Sequence, residues 1–319
     1  MTRYLAAGTD LLGTPYERLR VSLPADREGP VVATVVRRRA EQPSTRSVLM
    51  IHGLADYFFQ THVADFLVSH GWHVYGIDLR KHGRSLLTHQ TPNLCRRIED
   101  YFPELDAALD LIRDDGSDTV LVWGHSTGGL IASLWAQERQ DEGRLNGLFL
   151  NSPFFDFRLP WVLRRPALAA LAPLGRVAPR LIVPQGPSTQ FAEHAHVNWQ
   201  GEWNYDLTLK PAAGHPIRLG WVAAVRSAQA RLRRGLDLQI PVLVGSAQRS
   251  YEAHLDQQDQ AARTDIVLDV AHIARWAPTL GRQVRLVQFE DAMHDLTLSR
   301  EPVRSRVLDE VKDWTDSWA

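Results

Sequence analysis

A serine hydroxyl is a useful nucleophile only where the backbone exposes it and a base can take its proton. One stretch of this chain offers such a serine: Val120-Leu-Val-Trp-Gly124-His-Ser126-Thr-Gly128-Gly-Leu130. An apolar run ends in Gly-x-Ser-x-Gly and passes into a pattern carrying Leu130, Ile131, Leu134 and Trp135, which predicts strand, sharp turn and helix. Glycines on both sides of the serine fit a strained turn crowded by a neighbouring element. Ser126 is therefore the candidate nucleophile. Three fixed positions in five also occur in glycine-rich loops without chemistry, so its partners decide the reading.

Histidine is the usual base because its pKa lies near neutrality. Of thirteen histidines, His294 falls in a loop after the last predicted strand and before the closing helix. That is the third place in the order serine, acid, histidine expected for a nucleophile on a strand-to-helix turn. The acid must follow the strand that ends near Gly245, where it can orient the imidazole. The position directly after that strand is Gln248, which carries no charge. Glu252, Asp256, Asp259, Asp265 and Asp269 lie downstream. Asp269 precedes the first turn of a helix and fits an N-cap. Asp265, at the start of an apolar bend just before it, is the preferred acid, with Asp269 and Glu252 as alternatives. On this reading, residues 246–264 form an insertion. Oxyanion donors are expected from two backbone amides, Thr127 after the nucleophile and Leu54 in the loop after His52-Gly53. His52 itself is expected to brace that loop.

Positioning these groups requires a mostly parallel sheet. Residues 16–23 and 31–36 read as an antiparallel hairpin at a sheet edge. From Ser47 onward, strands (47–51, 73–78, 120–124, 145–151) alternate with helical patterns (62–70, 98–113, 129–137), which implies parallel strands with helical crossovers. The rhythm breaks between Arg158 and about Gly235, where proline-punctuated helical pieces carry Trp161, Trp199, Trp203, Tyr205 and Trp221. This segment reads as a helical cap inserted where ligands meet the carboxyl ends of the strands. The strand rhythm resumes at 241–244 and 284–289, and a helix at 303–314 closes the chain. The expected division is a core of 1–157 and 236–319 with a cap at 158–235.

The 319 residues are 44% apolar and 23% charged, with a net charge of −1, an ordinary globular composition with no basic field to attract nucleic acid. The arginines at 37–39 and at 231, 233 and 234 read as solvated faces. A single cysteine, Cys95, excludes an internal disulfide. No signal-peptide core or membrane-length apolar run is present, and the expected location is cytoplasmic. His194-Ala-His196 offers two metal ligands without a third nearby, which favours exposed histidines over a metal site. No cofactor is called for.

Taken together, His52-Gly53, Asp78-Leu-Arg-Lys-His-Gly83-Arg-Ser85, Gly124-His-Ser126-Thr-Gly128 and Met293-His294-Asp295 resemble the α/β-hydrolase superfamily, in the branch of monoacylglycerol lipases, lysophospholipases and serine aminopeptidase-like hydrolases. The resemblance covers roughly Val48 to the C-terminus. It implies Ser126 as nucleophile, His294 as base and Leu54 with Thr127 as oxyanion donors. It departs at the acid: the family usually carries Gly-x-x-Asp directly after the strand, where this chain has Gln248. Similar proteins place the acid a little under thirty residues before the histidine, which suits Asp265. The implied activity is a serine hydrolase acting on small-molecule carboxylic esters, lipid-like or aromatic/acyl, through an acyl-enzyme. Tyr57, Trp161 and Trp203 are candidate substrate contacts. Amide or aminopeptidase-type hydrolysis is the alternative, needing a carboxylate such as Glu193, Glu202 or Asp206 to hold a substrate amine. A silent binding protein on a hydrolase scaffold is the reading from another class, motivated by Gln248.

Overall fold

The computed structural model describes residues 4–158, 173–184, 188–252 and 260–318. Its framework is a nine-stranded sheet in the order β1-β2-β3-β5-β4-β6-β7-β8-β9. Strands β1 (Tyr4–Thr9), β2 (Glu17–Asp26) and β3 (Gly29–Arg38) form an antiparallel edge. The outer strand β1 had no counterpart among the sequence expectations. From β5 (His73–Asp78) the sheet is parallel through β4 (Arg46–Ile51), β6 (Thr119–His125), β7 (Gly147–Asn151), β8 (Val242–Ala247) and β9 (Val284–Phe289).

The central strands are apolar almost without interruption because both faces are covered. Alternation divides their side chains between two layers. Leu49, Ile51, Val120, Val122, Leu148 and Leu150 meet α2 (Phe102–Asp114), α3 (Thr127–Arg139) and α5 (Leu219–Leu232). Val48, Met50, Leu121, Trp123 and Phe149 meet α1 (Thr61–Ser69) and α7 (Val303–Asp316). Between β7 and β8 the described residues add only α4 (Gln190–Ala195), α5, a helical turn at 173–177 and isolated bridges. A short helix, α6 (Val270–Trp276), precedes β9.

Buried ion pairs fasten the edge to the parallel sheet. The Arg84 guanidinium reaches Asp10 at 2.7 Å and Asp78 at 2.9 Å, with all three side chains buried. Of the arginines expected to form solvated faces, Arg37, Arg231 and Arg233 are instead drawn into pairs with Asp115, Glu138 and Asp156, while Arg39 and Arg234 are exposed. His196 is also buried rather than exposed. Its Nε2 faces the Tyr205 carbonyl at 2.9 Å and its Nδ1 accepts the Asn198 amide.

Candidate active site

The turn after β6 puts Ser126 at φ +51°, ψ −117°, a region that non-glycine residues occupy only when their surroundings over-determine it. The surroundings here are tight. A Cβ on Gly128 would lie 2.4 Å from the carbonyl oxygens of Ile51 and His52, and one on Gly124 would lie 2.8 Å from the backbone of residues 128 and 129. Both glycines are thus required by close approach of β4 and α3. The Ser126 amide donates to the Asn151 carbonyl at 3.0 Å, fixing the turn to the end of β7.

His294 Nε2 lies 3.0 Å from Ser126 Oγ, and His294 Nδ1 lies 2.8 Å from Asp265 Oδ2. A carboxylate at Nδ1 selects the tautomer with the proton there, leaving Nε2 to accept from the serine. The other Asp265 oxygen accepts the Val267 and Leu268 amides at 2.8 and 2.7 Å. The side chain is fully buried, and these two donors with the imidazole satisfy it.

Asp265 arrives by an unusual route. Gln248 continues the line of β8, its amide donating to Phe289, and its side chain is exposed. The chain leaves after Glu252 and returns so that Asp265 pairs beside Ser250. The Asp265 amide donates to Arg249 at 2.9 Å and the Tyr251 amide donates to Asp265 at 2.8 Å. Of the alternative acids, Asp269 caps α6 by accepting the Ala271 amide, and Glu252 is exposed. Asp256 and Asp259 lie outside the described residues.

The serine opens onto a cleft of roughly 360 Å³, walled by Leu54, Phe191, Ile217, Ile266 and Val267 with Lys210 and His215 among its polar groups. Among the described residues, the amides of Leu54 and Thr127 have no protein acceptor. Thr127 is the first residue of the thirteen-residue α3, where the helix dipole also favours negative charge. His52 braces the Leu54 loop. Its Nε2 accepts the Leu79 amide at 3.0 Å, which places the proton on Nδ1 to donate to the Gly53 carbonyl at 2.7 Å.

Two expected substrate contacts fall elsewhere. Tyr57 is buried beneath the cleft, its hydroxyl accepting the Asp206 amide, and burial pushes its pKa up to about 12. Trp203 stacks on His62 and donates from Nε1 to the Leu298 carbonyl at 2.8 Å. Each ring is occupied in packing, because its polar atom finds a protein partner outside the cleft. Trp161 lies outside the described residues.

Sequence reasoning missed several supporting residues. Asn151 receives the Ser126 amide on its carbonyl and the Leu296 amide on Oδ1, and it donates from Nδ2 to Asp295 at 2.8 Å. It links the serine turn to the histidine loop. The signal was a polar residue ending the otherwise apolar buried strand Gly-Leu-Phe-Leu-Asn. Burial raises the pKa of Asp295, but His125, Lys210 and hydrogen bonds from Thr297 and Asn151 outweigh it and hold the carboxyl at about 2. Burial lowers the pKa of His125, whose ring lies 5.0 Å from that of His294. Among the described residues no group of side chains suits a metal ion, and no helix is long and apolar enough to cross a membrane.

A mostly parallel sheet flanked by helices, with its serine on the turn between β6 and α3, makes this an α/β-hydrolase fold. Residues 42–301 match the serine aminopeptidase S33 family, and the chain belongs to that family. It is 22% identical over 284 residues to phospholipase YtpA of Bacillus subtilis, covering 88% of this chain and 98% of that protein. The monoglyceride lipase of Saccharomyces cerevisiae superposes with a TM-score of 0.69 at 16% identity, covering 93% of this chain and 94% of the other. The monoacylglycerol lipase of Paleococcus ferrophilus gives 0.64 at 19% identity, with coverage of 88% and 97%.

Proposed function

We propose that this chain is a cofactor-free serine hydrolase of carboxylic esters, with Ser126 as nucleophile, His294 as base and Asp265 as the acid. The observation that carries this reading is the continuous line from Asp265 through His294 to Ser126, at 2.8 and 3.0 Å. As Ser126 Oγ bonds to the ester carbonyl carbon, its proton passes to His294 Nε2, and Asp265 stabilises the imidazolium. The carbonyl electron pair moves onto oxygen, held by the Leu54 and Thr127 amides. Collapse breaks the bond to the alcohol, which leaves with the proton from His294. Water then attacks the acyl-enzyme by the same route and releases the acid.

Residues 158–235 act on this reading as a cap over a core of 1–157 and 236–319. They contribute Phe191, Lys210 and Ile217 to the cleft. The apolar walls favour acyl groups, and kinship with a phospholipase and monoglyceride lipases supports lipid-like esters. Aminopeptidase chemistry is less well served. Asp56 is the one carboxylate lining the cleft among the described residues, and Lys210 neutralises it at 2.7 Å. Glu193, Glu202 and Asp206 engage Thr189, Arg304 and Thr208 respectively. The test is hydrolysis of p-nitrophenyl esters from acetate to palmitate, with an aminoacyl p-nitroanilide alongside. Ester turnover that Ser126→Ala abolishes supports the proposal. Turnover of the anilide alone reverses the preference, and labelling by neither ester nor fluorophosphonate makes the chain a silent binder.

A further inference from the structure

The loop that presents the Leu54 amide is short, and its middle residue Ala55 sits at φ +51°. A left-handed alanine persists only where its neighbours hold it. Upstream, His52 grips Gly53 as described. Downstream the hold is Asp56, whose Oδ1 accepts both the Tyr57 amide at 2.9 Å and the Lys210 ammonium at 2.7 Å.

Lys210 comes from 154 residues away in sequence. Asp206 builds the turn that delivers it: its carboxylate accepts the Thr208 amide and hydroxyl, and its carbonyl accepts the Leu209 and Lys210 amides. The Asp206 amide in turn donates to Tyr57 Oη at 2.7 Å. The Lys210 ammonium is then enclosed by Phe59, Phe191 and Tyr205, with ring centroids 4.9 to 5.4 Å away. Both side chains of the pair are largely buried, 11% and 3% exposed. An ion pair so enclosed is directional, because a shift of the carboxylate would strand two desolvated charges.

We propose that Lys210 and Asp56 are a positioning pair for the oxyanion loop: the segment between β7 and β8 sets the aim of the Leu54 amide as well as walling the cleft. The inference rests on the ester-hydrolase reading above. It assigns the pair to the transition state rather than to substrate affinity, since a misaimed amide weakens the oxyanion contact while leaving the apolar walls in place.

The experiment measures kcat and KM on a neutral p-nitrophenyl ester and on one carrying a carboxylate, for the wild type, Lys210→Met, Asp56→Asn, their double variant and Lys210→Arg. Affinity for a trifluoromethyl ketone, whose adduct with Ser126 carries an oxyanion, is read in parallel. Each single variant is expected to lose about 10²-fold in kcat with KM within about twofold, and to lose ketone affinity by a similar factor. The double variant should be no worse than either single one, because both break the same contact. Lys210→Arg should restore most of kcat. The double variant leaves no unpaired buried charge, so it tests the idea even where a single variant does not fold. A folded double variant with kcat within about threefold of wild type overturns the inference. So does a loss confined to KM for the acidic ester, which would make Lys210 a substrate contact. An inactive wild type overturns the ester-hydrolase reading, and the inference falls with it.

Discussion

The serine turn and the acid turn deliver their side chains to the same imidazole by opposite means. At the serine turn everything is local: β6, two glycines and the first turn of α3 lie within a few residues, and close approach of the β4 backbone leaves no alternative at position 128. At the acid turn the strand ends at Ala247, but the carboxylate belongs to a residue that has left and come back, held by backbone pairing at 249–251. One site is fixed by steric exclusion and the other by hydrogen-bonded docking. Steric exclusion tolerates almost no change. Docking tolerates changes of length between the docked residues, because closure entropy grows slowly with length.

The largest effect that sharpens this contrast is Ser126→Ala, expected to cost on the order of 10⁶-fold in kcat for ester hydrolysis. Asp265→Asn should cost about 10⁴-fold by removing the acceptor at His294 Nδ1. Adding Gln248→Asp to that variant should restore nothing, because the side chain at 248 is exposed. A pH-rate profile of both variants that showed recovery in the double one would erase the distinction between the two turns. Gly128→Ala should destabilise the fold by about 3 kcal/mol or more, read from urea denaturation, since the added methyl meets backbone rather than a yielding side chain.

Acid should also act on the serine side. Burial lowers the pKa of His125 below its ordinary 6.5, and that of His82 to about 3. The unfolded chain therefore binds protons below pH 6.5 that the folded chain refuses. Stability is intact above that pH and falls as the pH drops, by at most about 1.4 kcal/mol per unit for each group. Thermal unfolding between pH 7 and 5 should show a shallower loss in His125→Gln than in wild type; an unchanged slope would mean that His125 is not kept neutral. The smallest effect is expected on the acid side. Replacing residues 253–259 with a Gly-Ser linker of equal length should leave kcat within about threefold.

What could be read from the sequence follows the same division. The Gly-x-Ser-x-Gly turn, the alternation of strands and helices, and a histidine after the last strand are short-range patterns, and they predict the parallel sheet and the neighbours Ser126 and His294. Asp265 was reachable because Asp269 had a better explanation as a cap, a role it fills through the Ala271 amide. Tyr57 and Trp203 misled because aromatic character does not say which side of a ring faces a cleft. The Lys210–Asp56 pairing left no trace, and Asn151 showed only as a polar end to an apolar strand without naming Asp295, since each pair joins residues more than a hundred positions apart. The strand β1 went unnoticed because Leu-Ala-Ala-Gly lacks the β-branched residues that mark an edge strand.

The pairing of residues 249–251 with Asp265 has a consequence for how this chain can change over time. A loop whose two ends are stitched together is closed whatever hangs beyond the stitch, and the entropy of closure rises only with the logarithm of its length, about 0.6 kcal/mol per doubling. Closure therefore penalises a change of length between positions 252 and 260 only weakly, whereas Ala261, Ala262 and Thr264 are buried and bound by packing. Lineages and engineers alike could vary the length of the chain there while the line from Asp265 through His294 to Ser126 stays the same.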